Sequence, residues 1–462
     1  MKFSLQQIAD ILGVGRDADS QVVAGGWSID TRTIQPGDVF FALAGPRHDG
    51  HDYVAAAFAA GAVAAVVGRS WDTPDAGRAG FLYRVDDPLR ALTQLAYEGR
   101  RRWDGTVVAL TGSNGKTTTK EIVAALLATK MRVSKTVGNL NNEIGVPLTI
   151  LRIDDDADAA VLELGMNHAG EIERLARLAR PDVGLVTNVS AAHVGHFHSV
   201  EGVAAAKREL IDELSDDAVA VLNADDARVR EFGEGRQGRT VTFGMAEPAD
   251  YRAVDVELGP DGARFGFKRK DRKGQPLTFE SHLPGRHNVL NMTAGLAVAV
   301  ELGLEARWLR KAAAAIRPAS MRGEIRPVGD WLVVDDCYNS NPAAAEAMLD
   351  VLAELPGKRK VAVLGEMLEL GDSAAALHRQ VGRKAAGAAD LIVAVRGAAR
   401  EIAEGAAESG AADGAVKFFE DADQAGAALR GLLQPGDTIL FKGSRGVGLE
   451  RALAAASAGG GR

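Results

Sequence analysis

Short apolar runs alternate with helix-like segments through the middle of this chain, and this alternation constrains the fold more than any other feature of the sequence. Four such runs are VVALTG (107–112), AAVLELG (159–165), DVGLVTNV (182–189) and AVAVLNA (218–224). The segments between them are rich in alanine and leucine, which favour helix. Strands separated by helices need crossover connections, so the sequence predicts an α/β fold with a largely parallel sheet.

The chain of 462 residues is too long for one ordinary core, and its patterns divide it into three parts. Residues 1–100 combine the strand-like runs VFFAL and AAVVG with the helical stretch YVAAAFAAGA, and the charged stretch EGRRRWDG (98–105) predicts a linker. The polar stretch 251–284 predicts an antiparallel insertion with a turn at 259–262. WLVVDD (331–336) then begins a third α/β unit. We therefore predict domains at 1–100, 101–317 and 318–462.

Composition and charge argue against several classes of protein. Hydrophobic residues make up 46% and charged residues 25% of the chain, the balance of a globular protein. No run of ~18 apolar residues predicts a membrane span, and the N-terminus lacks the pattern of a signal peptide, so a cytoplasmic location is expected. The single cysteine, Cys337, fits a reducing compartment. A net charge of −8 argues against nucleic acid as a partner.

The stretch TGSNGKTTTKE (111–121) lies where an apolar strand passes through a glycine-bracketed turn into a helix. Such a turn offers free backbone N–H groups and the positive end of a helix to an anion, and Lys116 adds a mobile charge. Thr117 follows the lysine, as in P-loop sites where this hydroxyl binds Mg²⁺. Leu110 stands where the strict pattern has its first glycine, and a plain turn with a solvated lysine is the alternative. The stretch predicts a phosphate site and leaves the reaction open.

Further polar side chains follow the predicted strands. Glu163 ends the run AAVLELG, and its carboxylate is a candidate Mg²⁺ ligand because parallel sheets bind ligands at the carboxyl edge. His193 and Asn188 lie in TNVSAAHVGHF, and Lys207 lies on a helix that begins near Val200. Taken alone, these residues also fit a helix cap, a structural histidine and a solvated lysine.

Seven motifs occur in the order typical of one family. They are GSNGKTTTKE, GNLNNEIGVP, ELGMNHAGEI, TNVSAAHVGHF with AKREL, GRHNVLNMTA, SMRGE and DDCYNSNP. In these motifs, and in SIDTRTIQPGDVFFALAGPRHDGHDY near the start, the chain resembles the Mur ligases over essentially its whole length. The resemblance implies three α/β domains: a small N-terminal domain, a central P-loop ATPase domain with a mainly parallel sheet, and a C-terminal Rossmann-like domain.

The resemblance also implies how metal ions are held. Thr117 and Glu163 would bind one Mg²⁺, and the residue that matches Lys207 carries CO₂ as a carbamate in this family. An unmodified ammonium ~4 Å from Mg²⁺ would be repelled by roughly 8 kcal/mol at an effective dielectric of about 20, and carbamylation reverses that sign. The carbamate could bind a second Mg²⁺ together with His193. The expected catalytic residues are Lys116, Glu163, His193 and Lys207.

Nucleotide and substrate contacts follow from the same resemblance. ATP would contact Gly112, Ser113, Asn114, Gly115, Lys116, Thr117 and Thr118 with its phosphates, Asn288 and Asn291 with its adenine, Arg322 with its γ-phosphate, and Asp336 with its ribose. The first domain would hold the UDP end of a muropeptide through Ser28, Asp30, Thr31, Arg32, Arg47, His48 and Gly50. The sugar-peptide part would meet Asn139, Asn141 and Asn142. Tyr338, Asn341, Lys442 and Arg445 would complete the substrate site, the last two beside a dipeptide carboxylate.

The activity that the resemblance implies is ATP-dependent amide formation. A carboxylate of UDP-N-acetylmuramoyl-tripeptide would form an acyl phosphate, and the amine of D-alanyl-D-alanine would then displace phosphate. The alternatives are another Mur-type ligase, such as the one that completes the tripeptide, folylpolyglutamate synthase, or a nucleotide-binding protein without catalysis. DDCYNSNPAAAEAML and the lack of a DNPR-type motif favour the dipeptide-adding activity. A monomer is expected.

Overall fold

The computed structural model describes residues 1–15, 22–46, 48–71, 80–192 and 194–458. Within these ranges the chain forms three β-sheets, of four, nine and six strands, which follow one another along the sequence. None of the helices in the described ranges has the length and apolar character that crossing a membrane requires.

The first sheet is wholly parallel, with the strands in sequence order. Its strands are β1 (Gly26–Ser28), β2 (Asp38–Phe41), β3 (Ala64–Gly68) and β4 (Phe81–Val85), and its helices are α1 (Leu5–Leu12), α2 (Val54–Ala59) and α3 (Pro88–Arg102). Helix α3 begins where it does because the Asp87 side chain caps it and Pro88 occupies its first turn.

The linker predicted at 98–105 is wrong, because α3 continues to Arg102. Leu92, Leu95, Ala96 and Gly99 form a buried stripe on this helix. Arg101 is 54% exposed, whereas Arg100 is 11% exposed and donates to the Ala179, Trp103 and Arg180 carbonyls. Helix and N-terminus approach so closely that a Cβ on Gly99 would lie 2.6 Å from the Met1 sulfur. The charge run is therefore the last turn of a packed helix and not a linker.

The second sheet has the order β13-β12-β11-β10-β9-β8-β5-β7-β6. Its strands are β5 (Thr106–Thr111), β6 (Val133–Lys135), β7 (Ala159–Glu163), β8 (Val183–Val186), β9 (Val219–Asn223), β10 (Thr240–Gly244), β11 (Tyr251–Gly259), β12 (Gly262–Arg269) and β13 (Leu277–Ser281). The strands from β5 to β11 pair in parallel, and β11, β12 and β13 pair antiparallel as predicted for the insertion.

Helices of this second unit cover both faces of the sheet. They are α4 (Lys116–Leu127), α5 (Gly145–Leu151), α6 (Glu171–Ala179), α7 (Val194–Phe197), α8 (Val200–Asp212), α9 (Ala227–Glu231), α10 (Arg286–Glu301) and α11 (Arg310–Ala315). Strand β5 lies between β8 and β7, so the carboxyl ends of these three strands meet at one edge. Ligand-binding residues at that edge come close together because parallel strands end side by side.

The third sheet has the order β14-β15-β19-β16-β17-β18. Its strands are β14 (Glu324–Val328), β15 (Trp331–Asp336), β16 (Arg359–Gly365), β17 (Leu391–Val395), β18 (Val416–Phe419) and β19 (Asp437–Lys442), and its helices are α12 (Pro342–Glu354), α13 (Ala374–Ala386), α14 (Arg400–Glu408), α15 (Ala422–Leu432) and α16 (Leu449–Ser457). This unit starts one strand earlier than the predicted WLVVDD. Strand β14, EIRPV, was not predicted because it contains a proline and two charged residues. It lies at the edge of the sheet, where a proline is tolerated.

The three units pack against one another. The first and second share a hydrophobic core, and the Arg152 guanidinium donates to the Trp27 carbonyl at 2.8 and 3.0 Å. The third unit meets the second beside the glycine turn before α4, where Asn341 Nδ2 donates to Asn114 Oδ1 at 2.6 Å. A second contact joins the Gly195 N–H to the Glu369 carbonyl at 3.1 Å. The cleft between these two units contains the candidate site.

Candidate active site

The glycine turn between β5 and α4 forms a cradle for an anion. Gly115 stands before α4 with φ +78° and no side chain caps this helix, so the first N–H groups of α4 are free to bind a ligand. A Cβ on Gly112 would lie 1.8 Å from the Thr187 hydroxyl, which explains the glycine there. Lys116 Nζ donates to the Gly112 carbonyl at 2.7 Å, and burial lowers the pKa of this lysine.

A buried carboxylate and a hydroxyl meet beside the cradle. Glu163, at the carboxyl end of β7, is 2% exposed and accepts from Thr117 Oγ1 at 2.9 Å and from Asn141 Nδ2 at 2.8 Å. Mg²⁺ prefers oxygen ligands, and two ligands at right angles around it lie about 3 Å apart. The Thr117 and Glu163 oxygens therefore fit a Mg²⁺ ion in both chemistry and spacing.

Two lysines of the second unit are buried in different ways, Lys120 beside this carboxylate and Lys207 outside the cleft lining. Lys120 Nζ lies 3.3 Å from Glu121 Oε1 and 4.0 Å from Glu163 Oε2. Lys207, on α8, is 1% exposed and has no hydrogen bond or ion pair within the described residues. Desolvation, and secondarily the charge of Lys116, lowers the pKa of Lys207 well below its usual value. A buried amine with a lowered pKa exists partly in the neutral, nucleophilic form.

The cleft has a volume of about 520 Å³, and α10 provides two amides to it. Asn288 and Asn291 are 6% and 7% exposed, three residues apart on one face of the helix. Asn288 Nδ2 donates to the Pro284 carbonyl at 2.7 Å, and Asn291 Nδ2 donates to Asn288 Oδ1 at 3.0 Å. A Cβ on Gly115 would lie 2.6 Å from Asn291 Oδ1, so the amide pair rests directly on the phosphate cradle.

The third unit closes the cleft with charged side chains. Lys442 Nζ pairs with Asp336 Oδ2 at 2.6 Å and donates to the Asn339 carbonyl at 2.9 Å. Burial raises the pKa of Asp336, although Lys442 acts in the opposite direction. The Arg322 guanidinium stacks over the Tyr338 ring with 4.0 Å to the centroid. Asn341 binds Asn114 with its amide nitrogen and caps α12 with its oxygen, so one side chain sets both the helix and the contact.

Most of the predicted site residues line this cleft. They are Ser113, Asn114, Gly115, Lys116, Thr117, Thr118, Asn139, Asn141, Glu163, Asn288, Asn291, Arg322, Asp336, Tyr338, Asn341 and Lys442. Gly112 adjoins the lining through its contact with Lys116. Asn142 caps α5, and its Oδ1 accepts from the Gly145 N–H at 2.9 Å. Arg445 is 58% exposed and lies 3.5 Å from Glu450. His193 and Arg47 are outside the described residues.

The residues predicted to hold a UDP group lie on the first unit, apart from the cleft lining. Ser28 is buried and its hydroxyl donates to the Asp30 carbonyl at 3.0 Å. Hydrogen bonds from Arg32 lower the pKa of the Asp30 carboxyl. Gly50 fits a tight turn, because a Cβ there would lie 2.6 Å from the Leu43 nitrogen. Thr31 and His48 complete this group, and both lie in loops.

Several cleft residues were not among the predicted site residues, although Asn188 was noted as a polar residue that follows a predicted strand. The Thr187 hydroxyl donates to the Asn114 carbonyl at 2.7 Å, and Asn188 Oδ1 accepts from the Asn114 N–H at 3.0 Å. Asn223 and His287 also line the cleft, and burial, followed by the charge of Lys442, lowers the pKa of His287 to about 4. Thr187, Asn188 and Asn223 stand at or just past the ends of β8 and β9, so strand-end position was the signal that could have identified them.

Three Mur ligase models match the chain in succession. The model of the Mur ligase family catalytic domain matches residues 25–96, the Mur ligase middle domain matches 110–299, and the Mur ligase glutamate ligase domain matches 321–445. The chain belongs to the Mur ligase family. The predicted fold class, three α/β domains with mainly parallel sheets, is confirmed.

Individual relatives align over nearly the whole chain. The UDP-N-acetylmuramoyl-tripeptide--D-alanyl-D-alanine ligase of Bacillus subtilis is 36% identical, covering 93% of this chain and 92% of that protein. The Escherichia coli ligase of the same name is also 36% identical, covering 98% of both. Crystal structure I of MurF from Acinetobacter baumannii has a TM-score of 0.89 at 32% identity, with 99% of both chains covered. The Thermotoga maritima MurF ligase in complex with ADP has a TM-score of 0.82 at 31% identity, covering 94% of this chain and 97% of that one.

Proposed function

We propose that this chain is an ATP-dependent amide ligase that joins D-alanyl-D-alanine to UDP-N-acetylmuramoyl-tripeptide and produces the UDP-N-acetylmuramoyl-pentapeptide. The observation that carries the proposal is the Thr117–Glu163 contact of 2.9 Å beside the uncapped start of α4. This arrangement suits a nucleotide triphosphate with its metal ion. The substrates come from the names of the relatives that align over more than nine-tenths of the chain.

The phosphate groups of ATP would lie on the N–H groups at the start of α4. Lys116 now binds the Gly112 carbonyl, and its flexible side chain would turn from there to a terminal phosphate oxygen. Thr117 and Glu163 would hold Mg²⁺, which when bound supplies positive charge to the transferring phosphoryl group. Asn288 and Asn291 would orient the adenine by donor and acceptor groups, and Arg322 and Asp336 would reach the γ-phosphate and the ribose.

Lys207 would carry CO₂ as a carbamate and hold a second Mg²⁺ together with His193. Carbamate formation requires the neutral form of the lysine amine. The burial that lowers the pKa of Lys207 increases the fraction of this neutral form near neutral pH. Its side chain has no competing partner within the described residues. The modification would also convert a buried cation into an anion, which a neighbouring metal ion would stabilise.

The reaction would proceed in two substitutions. The tripeptide carboxylate attacks the γ-phosphorus of ATP, the bond to ADP breaks, and an acyl phosphate forms. The amine of D-alanyl-D-alanine then attacks the acyl carbon, loses a proton, and phosphate leaves. Closure of the third unit over the cleft would protect the acyl phosphate from water, and the Asn341–Asn114 hydrogen bond is part of that closure.

The first unit would hold the UDP end of the muropeptide through the group around Ser28 and Gly50. The loop with Asn139, Asn141 and Asn142 would then guide the sugar-peptide part to Glu163, since Asn141 already donates to that carboxylate. On the third unit, Tyr338 and Asn341 face the cleft, and Lys442 with Arg445 would receive the dipeptide carboxylate.

The proposal is tested by phosphate release with ATP, Mg²⁺ and UDP-N-acetylmuramoyl-tripeptide, with the pentapeptide product weighed by mass spectrometry. Phosphate release should depend on D-alanyl-D-alanine. Reactions with L-lysine, meso-diaminopimelate or L-glutamate as the amine, each with its own acceptor, separate the other ligase activities. If a product forms with one of these amines and not with the dipeptide, the proposed substrate is wrong and that amine is the substrate. ATP binding without any product would refute the proposed ligase activity.

A further inference from the structure

A basic surface with an exposed tryptophan lies on the second unit, apart from the cleft. Two segments form it, 267–277 between β12 and β13 and 304–311 after α10, and together they contain eight basic and two acidic residues. The chain as a whole has a net charge of −8, so this concentration of positive charge is local. We define the basic patch as Lys268, Arg272, Lys273, Arg307, Trp308, Arg310 and Lys311.

Most of the cations in the basic patch have no internal partner. Lys268, Arg272, Lys273, Arg310 and Lys311 are exposed, and none of them forms an ion pair within the described part of the chain. Some surface arginines elsewhere are paired, as Arg379 is with three glutamates of α14. The five unpaired cations remain available to an external anionic surface, and they add attraction over a distance of about one Debye length, roughly 10 Å.

An indole ring stands among these cations. Trp308 is 64% exposed, more than any other tryptophan, tyrosine or phenylalanine in the described residues, and the Arg307 guanidinium stacks on it at 4.9 Å from the centroid. Beside it is a cavity of about 670 Å³ whose lining includes the apolar side chains of Phe267, Leu277 and Val300. The side chain of an exposed tryptophan combines an apolar ring with a polar N–H group and is suited to the boundary between lipid headgroups and acyl chains.

The position of the basic patch leaves the cleft free. Helix α10 has 16 residues and is therefore roughly 24 Å long. Its first turns carry Asn288 and Asn291 at the cleft, and its last residue, Glu301, precedes the basic patch. Strand β12 is antiparallel to β11, so it ends at the sheet edge opposite the phosphate cradle. A large surface could cover the basic patch while substrates still enter the cleft.

We propose that the basic patch docks this protein on an anionic lipid bilayer surface. The unpaired cations would contact lipid phosphates and Trp308 would enter the headgroup layer, a peripheral attachment that leaves the chain outside the hydrocarbon core. Nucleic acid offers the same phosphates, but non-specific strand binding uses a series of stacking aromatics, and this surface has one.

The test is sedimentation of the full chain with vesicles of equal parts phosphatidylglycerol and phosphatidylcholine, compared with phosphatidylcholine alone. The protein should bind the anionic vesicles and lose binding as salt is raised. The triple variant Lys268→Glu, Arg272→Glu, Lys273→Glu should bind at least ~100-fold more weakly, at about fivefold per lost contact. Trp308→Ala should reduce binding on the order of tenfold.

A control with the same charge change makes the test specific. The control is a second triple variant, Arg90→Glu, Lys358→Glu, Arg383→Glu, in which three exposed, unpaired cations of the first and third units are changed. It should bind the anionic vesicles nearly as well as the unchanged protein. Three outcomes would each overturn the proposal. The first is an equal loss of vesicle binding in both triple variants, and the second is equal binding of the unchanged protein to neutral vesicles. The third is patch-dependent binding of a single-stranded oligonucleotide without vesicle binding. Ligase activity without vesicles should be unchanged in all these variants, which separates this result from the proposed function.

Discussion

Thr117 and Thr119 are separated by two positions on α4 and have opposite environments. The Thr117 hydroxyl faces the cleft and donates to Glu163, whereas the Thr119 hydroxyl is fully buried without a hydrogen-bond partner in the described residues. The two residues are both threonines and lie close together in the chain, so neither feature distinguishes them. Thr117 is assigned to the site because its hydroxyl contacts Glu163. The two residues therefore form a matched pair for mutation.

Thr117→Val should lower kcat by about 10²–10³-fold and weaken the response to Mg²⁺, because a metal ligand is lost. Glu163→Gln should act in the same direction. Thr119→Val should keep full activity and raise the free energy of unfolding by about 1 kcal/mol, since it removes an unsatisfied buried hydroxyl. Phosphate release against Mg²⁺ concentration and thermal melting measure these effects. Equal activity of the two valine variants would contradict the assignment of Thr117.

Lys207 and Lys120 form a second matched pair, since both are fully buried lysines of the second unit. Lys207→Met should abolish ligase activity but raise stability by roughly 1–3 kcal/mol in CO₂-free buffer, because an unpartnered buried amine is replaced by an apolar group of similar size. Lys120→Met should lower stability, because Glu121 and Glu163 lose their cation. Urea unfolding of each variant checks the signs, and a less stable Lys207→Met would disprove this account of Lys207.

The stabilisation by Lys207→Met should depend on pH in a defined direction. The folded-state pKa of Lys207 lies below its unfolded value of 10.5, so the destabilising effect is absent above pH 10.5 and grows as the pH falls toward the folded-state pKa. The slope is about 1.4 kcal/mol per pH unit between the two pKa values. The gap between the variant and the unchanged protein should thus be wider at pH 7 than at pH 9. A constant gap would show that the amine titrates normally.

At the scale of elements, the alternation of apolar runs and helices sufficed to predict the parallel sheet and the strand-turn-helix around Lys116. The local pattern failed for β14, which is an edge strand with a proline and two charges, and for the end of α3, where Arg100 is held by backbone carbonyls. Thr187 and Asn223 were not predicted as site residues, because their role depends on β9, β8 and β5 lying side by side, and the strand order is a property of the whole sheet. The resemblance to a family, in contrast, predicted that Asn114 and Asn341 belong to one site, although they are 227 residues apart in the chain.

The turn before α4 gives a prediction about backbone conformation. Gly115 has φ +78° and a Cβ would meet Asn291 Oδ1 at 2.6 Å, whereas Gly410 has φ +85° with nothing within 4 Å. Alanine at either position should cost about 1–2 kcal/mol of stability through left-handed strain. Gly115→Ala should in addition weaken ATP binding at least ~10-fold because it displaces Asn291. Calorimetric ATP titration of the two variants checks this, and equal affinities would contradict it.

At the scale of the whole molecule, the site exists only where the second and third units meet. The cradle, the Glu163 carboxylate and the amides of Asn288 and Asn291 belong to the second unit, while Arg322, Asp336 and Lys442 belong to the third. Polar contacts that join the two units within the described residues include Asn341 to Asn114 and Gly195 to Glu369. The first of these contacts belongs to the site, but the second lies at the start of α7, outside the cleft lining, so closure can be perturbed without altering a site residue.

Gly195→Leu should hold the third unit away from the second. A Cβ at Gly195 would lie 2.8 Å from the Gly371 nitrogen and 3.0 Å from the Glu369 carbonyl, so a leucine cannot fit while the units remain in contact. The radius of gyration in solution scattering with ATP should increase, and kcat should fall at least ~10-fold while ATP affinity changes less, because the phosphate cradle stays intact. Gly431→Leu, where nothing lies within 4 Å of the Cβ position, should leave the scattering and kcat unchanged. A compact and fully active Gly195→Leu protein would mean that catalysis does not require this contact, and closure would then depend on Asn341 and the bound substrates alone.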